Sequence, residues 1–121
     1  MSRRDPRLPF FQIREHVKEI IEISEGKSRE DLDQDRIYNL AITRLIEIIG
    51  EAANRVSIEF QSKYSQISWM QMISARNRLI HGYDSVDFNI LWVIVHDDMP
   101  NLLQQIEEVI KVEGWENINN Q

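Results

Sequence analysis

One stretch of the sequence concentrates reactive side chains, Arg76-Asn77-Arg78-Leu79-Ile80-His81-Gly82-Tyr83: a guanidinium, four residues, an imidazole, one residue and a phenol. A guanidinium binds phosphate oxygens in a forked geometry and keeps its charge, while an imidazole titrates near neutrality and can take or return a proton. Together they supply what metal-independent cleavage of RNA requires: a fixed positive charge at the phosphate and a group that moves the proton of the attacking hydroxyl. On one straight helix, positions five apart point about 140° from each other. Arg76 and His81 can therefore meet one phosphate only if the helix relaxes at its end, or if a second subunit brings its own copy across a two-fold axis. Helix is expected up to Gly82, a residue suited to a left-handed terminal position, which leaves His81 in the last turn beside unpaired carbonyls. Asn77 and Arg78, four and three residues before His81, are the supporting side chains. The amide can hydrogen-bond the ring, and the guanidinium adds a fixed charge. A plainer account of the same residues is a helix cap, with His81 on the terminal carbonyls and Tyr83 packed over the end of a bundle.

The elements that must position this segment follow from hydrophobic spacing. Phe10, Ile13, Val17, Ile20 and Ile21 recur at helical intervals, with Arg14, Glu15, Lys18, Glu19 and Glu22 on the other face, so a first helix is expected over 10–24. Residues 27–33 read as a polar connection. A second helix over 34–55 presents Ile37, Ala41, Ile42, Leu45, Ile46, Ile49 and Ala53, and its Gly50 is expected to permit the close approach of another backbone. Glu47, Glu51 and Arg55, at four-residue steps, read as a solvated stripe. A short amphipathic piece covers 58–64, and Ser68 opens a third helix. Asp87 is placed to cap a fourth, running through Leu91, Trp92, Val95, Met99 and Ile106, which Pro100 should bend near 97–99. The fold class expected is all-α: an antiparallel four-helix (up to five-helix) bundle in a single domain spanning 1–121, with 1–9 and 114–121 as flexible ends.

Composition narrows the function classes. A net charge of −6 argues against a protein that coats nucleic acid through a broad basic surface, so any RNA contact must be local. There is no cysteine, which removes disulfides, thiolate metal sites and a cysteine nucleophile. No apolar stretch is long enough to cross a membrane, and a cytoplasmic protein is expected. No His, Asp and Glu set has metal-ligand spacing, since Asp97 and Asp98 are adjacent and point to different faces of a helix; neither metal nor cofactor is expected. His16 and His96, beside apolar stripes, read as packing or interface residues. Trp69, Met70 and Met72 read as core or dimer interface.

The segment Arg76 to Tyr83 resembles the Arg-x4-6-His signature of the HEPN superfamily, in the Arg-x4-His-x-Tyr form of the HepT-like toxins. Ile49-Gly50-Glu51-Ala52-Ala53, Trp69, Val86-Asp87 and Leu91-Trp92 agree with the family pattern, and the likeness runs from Phe10 to Ile110. The resemblance implies a HEPN-like homodimer whose two motifs face each other, acting on cellular RNA, with tRNA or mRNA as the target, as a metal-independent endoribonuclease. It further implies that His81 is the general acid or base at the 2′-hydroxyl and that Arg76 stabilises the transition-state phosphate, with a cyclic 2′,3′-phosphate as product. The implied partner is an MNT-type nucleotidyltransferase antitoxin that transfers AMP to Tyr83. Two other readings belong to different classes: a non-catalytic helical binding subunit for a nucleotidyltransferase, and a plain dimerisation module with Trp69, Trp92 and Met99 at the interface.

Overall fold

The computed structural model describes residues 5–81 and 85–115, and these form an all-helical bundle with one small hairpin. Helix α1, Arg7–Ile23, begins three residues before its expected start and buries Phe10, Ile13, Val17 and Ile20 against α3 and α8. Arg14, expected on the polar face, is buried instead. Its guanidinium lies 5.2 Å from the Phe11 ring centroid, 3.1 Å from Glu15 and 3.7 Å from Glu107, so the aliphatic stem is covered while the charge finds acids at the rim.

The expected polar connection at 27–33 contains a short helix, α2, Arg29–Gln34. Its start is fixed by Asp31, whose carboxylate accepts the Ser28 N–H at 2.6 Å, and its one buried side chain is Leu32. Asp35 then caps α3, Arg36–Asn54, by accepting the Tyr38 N–H at 3.1 Å. Of the positions expected on the apolar face of α3, Ile42, Ile46, Ile49 and Ala53 are buried and Ala41 and Leu45 half-buried, while Ile37 is 80% exposed because the inward face at this end is taken by Tyr38 and Asn39. The Asn39 amide is satisfied by the Leu32 carbonyl at 2.8 Å. Helix α3 is central, touching α1, α2, α5 and α6.

Helix α4, Ile58–Lys63, is capped by Ser57, whose hydroxyl accepts the Phe60 N–H. Phe60 anchors an aromatic cluster in which Trp115 stacks on it at 5.6 Å and Phe10 meets it edge-on. The Tyr64 hydroxyl donates to Glu113, which also pairs with Lys63 at 2.8 Å; burial and that acceptor push the Tyr64 phenol up to about 12. The ends expected to be flexible are thus partly built in. Pro9 is buried in α1, Gly114 takes the left-handed conformation at the end of α8, and Trp115 is buried beyond it. Residues 1–4 and 116–121 lie outside the described residues.

The third helix is two short ones, α5, Trp69–Ile73, and α6, Ala75–Leu79. Ser68 stands at the N-cap of α5, though only its carbonyl engages, accepting the Met72 N–H at 3.2 Å. Helix α5 crosses α3 at Gly50, where a Cβ would lie 2.7 Å from the Met72 carbonyl oxygen. The close backbone approach expected of that glycine is present. Helix α7, Phe88–Val93, leads into a π turn at Ile94–Asp98 and then α8, Met99–Glu113. No helix among the described residues is long and apolar enough to cross a membrane.

Two effects compete at Gly50. Alanine gains about 1 kcal/mol of helix propensity, but a methyl driven into a backbone carbonyl costs about 1–3 kcal/mol of overpacking, and backbone cannot swing aside as a side chain can. Gly50→Ala is expected to lower the unfolding free energy by up to about 2 kcal/mol in urea titration. A stabilised variant would show that α5 rides loosely on α3.

Candidate active site

Helix α6 carries Arg76, Asn77 and Arg78, and the break between it and α5 falls at Ser74, whose hydroxyl donates to the Met70 carbonyl at 2.6 Å. Such back-bonding by serine draws on a helical carbonyl and bends the helix. Helix α6 ends at Leu79, not at Gly82. The chain becomes strand β1, Ile80–His81, which pairs antiparallel with β2, Ser85–Val86, in the register Ile80 opposite Val86 and His81 opposite Ser85. The Asp87 N–H donates to the Leu79 carbonyl at 2.7 Å, and the Asp87 carboxylate accepts the N–H groups of Asn89 and Ile90. One residue thus ties the foot of the hairpin to the start of α7.

This hairpin corrects the expected geometry. His81 does not lie in a terminal helical turn, so neither the dipole argument nor the one-face relation of Asn77 to His81 applies. Arg76 belongs to a helix and His81 to a strand, and the separation of about 140° calculated for one rod no longer governs them. The cause is local: β-branched Ile80 and Val86 favour extended backbone, and a glycine and an aspartate lie in the three residues that separate the strands. Those three, 82–84, include Tyr83 and lie outside the described residues. Asn77 is exposed on α6.

Arg78 is half-buried and faces Asp98 across the bundle at 4.0 Å. Asp98 reaches that position from the π turn. Proline at 100 has no N–H, and in a regular helix its ring would crowd the carbonyl four residues back; the wider turn removes the conflict, with the Met99 N–H bonded to the Ile94 carbonyl instead. The bend expected near 97–99 is therefore a register change beginning at Ile94. Burial raises the Asp98 carboxyl above its ordinary value, Arg78 opposes this, and neighbouring Asp97 adds to it. By sequence spacing Asp98 reads only as a poor metal ligand beside Asp97. The available signal for its placement was Pro100 two residues on.

Between α3, α5, α6 and the π turn lies a cavity of about 200 Å³, with Ala75 and Arg78 on one wall and Asp98 and Met99 on another. The other histidines are elsewhere. His16 pairs with Glu19 at 3.2 Å, and exposed His96 stacks on Trp92 at 5.5 Å with Asp97 beside it. Trp69 and Met99 are buried within the chain, which removes them from the interface that a plain dimerisation module would use; Met72 is buried and Met70 exposed. On α3, Arg44 reaches Glu47 at 3.3 Å and Glu51 at 4.0 Å, while Arg55, expected beside Glu51, donates to Gln12 at 2.7 Å.

The sequence model of a family described as ribonuclease HepT-like matches residues 13–109, a span holding α3, the α6–β1 junction and the π turn. The chain belongs to that family. A Methanocaldococcus jannaschii protein provisionally named an RNase is 35% identical over 115 residues, covering 94% of this chain and 95% of its own. A second from the same organism, named likewise, is 32% identical and is covered along its whole length by 90% of this chain. A Thermococcus cleftensis protein named a probable ribonuclease HepT is 36% identical over 101 residues, 80% of this chain and 92% of its own. No solved structure gives a significant match.

In this HepT-like chain the Asp98 carboxyl has its folded pKa raised, so its proton is held more tightly in the folded than in the unfolded protein. Stability contributed by that proton is present below the unfolded value near 3.8 and is lost as pH rises through the folded value. Wild type is therefore expected to lose unfolding free energy relative to Asp98→Asn as pH is raised from about 3.5 towards neutrality. Parallel stability curves for the two proteins would contradict the buried setting of Asp98.

Proposed function

We propose that this chain is the toxin of a HEPN/MNT toxin–antitoxin pair, a metal-independent endoribonuclease that cuts cellular RNA at the Arg76–His81 segment. The observation that carries this reading is the ribonuclease family match over 13–109, because it includes both residues. The switch from α6 to β1 between them supports it further, since it frees the two positions from the divergence of a single helix.

In this mechanism His81 accepts the proton of a ribose 2′-hydroxyl as that oxygen attacks the adjacent phosphorus. The P–O5′ bond breaks, the departing 5′-oxygen takes a proton, and the products are a 2′,3′-cyclic phosphate and a 5′-hydroxyl. Arg76 stabilises the charge that gathers on the non-bridging oxygens. A homodimer with its two motifs facing across a two-fold axis would supply a second imidazole for the leaving oxygen. The chain's net charge of −6 confines its attraction for RNA to such a cleft. An MNT-type nucleotidyltransferase would silence the site by moving AMP from ATP onto the Tyr83 hydroxyl with release of pyrophosphate, which sets a bulky anion next to the residues that must receive RNA.

The test is cleavage of RNA in EDTA. His81→Ala is expected to lose about 10²–10⁴-fold in rate and Arg76→Ala a comparable amount, with cyclic 2′,3′-phosphate ends on the wild-type products. Equal rates in all three proteins would remove both residues from the mechanism. A wild type that leaves RNA intact while binding a nucleotidyltransferase would make it the non-catalytic subunit.

A further inference from the structure

The cavity beside α6 has a use that the cleavage chemistry leaves unassigned. We propose that it is a nucleobase pocket, holding one base of the RNA next to the phosphate that is cut; this rests on the ribonuclease reading above. At about 200 Å³ it lies below the ~300–1,000 Å³ usual for sites that enclose a whole small molecule, and its size suits one planar ring system.

Its walls match a base in chemistry as well as size. The floor is apolar, made by Ile46, Ile49, Ile94 and Leu102. Met72 and Met99, both nearly buried, bring thioethers from α5 and α8 to the same cavity, and polarisable sulfur makes favourable contact with aromatic rings. The rim is polar. Gln71 and Asn101, exposed, and Gln105, half-buried, line the cavity, and a carboxamide offers both a donor and an acceptor, the pairing that reads the edge of a base. Arg78 and Asp98 stand 4.0 Å apart and each about a third exposed, so donors and acceptors of both signs remain open to a ligand. RNA-binding proteins hold unstacked bases on aromatic or guanidinium planes and by hydrogen bonds to the base edges, and here the guanidinium is that of Arg78.

Position supports the same ligand. Ala75 and Arg78 line the cavity from α6, the helix that also carries Arg76. A base seated here would hang from the strand whose phosphate lies at the α6–β1 junction. The π turn belongs to the device, since Ile94 and Asp98, at its two ends, both line the cavity.

The measurement is methionine-methyl NMR of the intact protein titrated with the four ribonucleoside 3′-monophosphates, which it cannot cleave. The chain has four methionines, which single substitutions assign. Ring currents are expected to shift Met72 and Met99 with at least one nucleotide and to leave Met70, 68% exposed elsewhere, in place. Asn101→Ala and Gln105→Ala alter the rim and are each expected to weaken that binding about five-fold, the worth of one hydrogen bond. Unmoved Met72 and Met99 methyls with all four nucleotides at millimolar concentration overturn the pocket, whether or not the protein cuts RNA. Shifted methyls in a protein that cuts no RNA leave the pocket standing and remove the ribonuclease reading.

Discussion

One missing methyl group seats the functional half of the molecule. At Gly50 the backbone of α3 comes so near the Met72 carbonyl that any side chain would collide with it. That contact fixes the height of α5 above the central helix. Helix α6 is only five residues long; it follows α5 after the break at Ser74 and packs on α3 and α7. The hairpin follows α6 directly and is held at its other foot by Asp87 on α7. Arg76 on α6 and His81 on β1 thus stand on two short consecutive elements between α3 and α7. Attachment at both ends suits the proposed chemistry, in which two groups must hold a fixed distance.

The second constraint is Pro100. A proline within a long amphipathic run removes a donor, and the chain answers with a wider turn that costs no buried donor because the Met99 N–H bonds Ile94. That turn buries Ile94 and Val95 side by side and swings Asp98 to the face of Arg78. A straight helix would present a different set of residues there. The cavity next to α6 is therefore a joint product of a glycine on α3 and a proline on α8, two residues with no chemistry of their own.

How far the sequence made this legible depends on element length. Phe10 to Ile20 and Ile42 to Ala53 repeat often enough for periodicity to fix α1 and α3, and Gly50 and Asp87 act in the ways their types suggest. Among the short elements, α4 is legible from its amphipathic spacing, whereas α2 and the hairpin are not. Helix α2 has one buried side chain, Leu32, too few to show a period, and is set by the Ser28–Asp31 contact. The hairpin was hidden inside what reads as a helix because Leu79 and Ile80 continue the apolar spacing, and pairing with Val86 across a turn overrides that local pattern. Ile37 fits the apolar stripe of α3 yet faces outward, since Tyr38 and Asn39 fill the space beside α2. Residue types identified the candidate chemistry; the path of the backbone through 74–87 had to be seen.

The proposed function depends on a guanidinium and an imidazole acting on the same phosphodiester. The most direct measurement is the NMR titration of the His81 imidazole, free and with a bound deoxydinucleotide that lacks the attacking hydroxyl, in wild type and in Arg76→Ala. A phosphate held beside the ring raises the pKa of His81, and the account predicts that this rise occurs in wild type and disappears with Arg76. A dinucleotide that binds without moving the titration of His81 would contradict it.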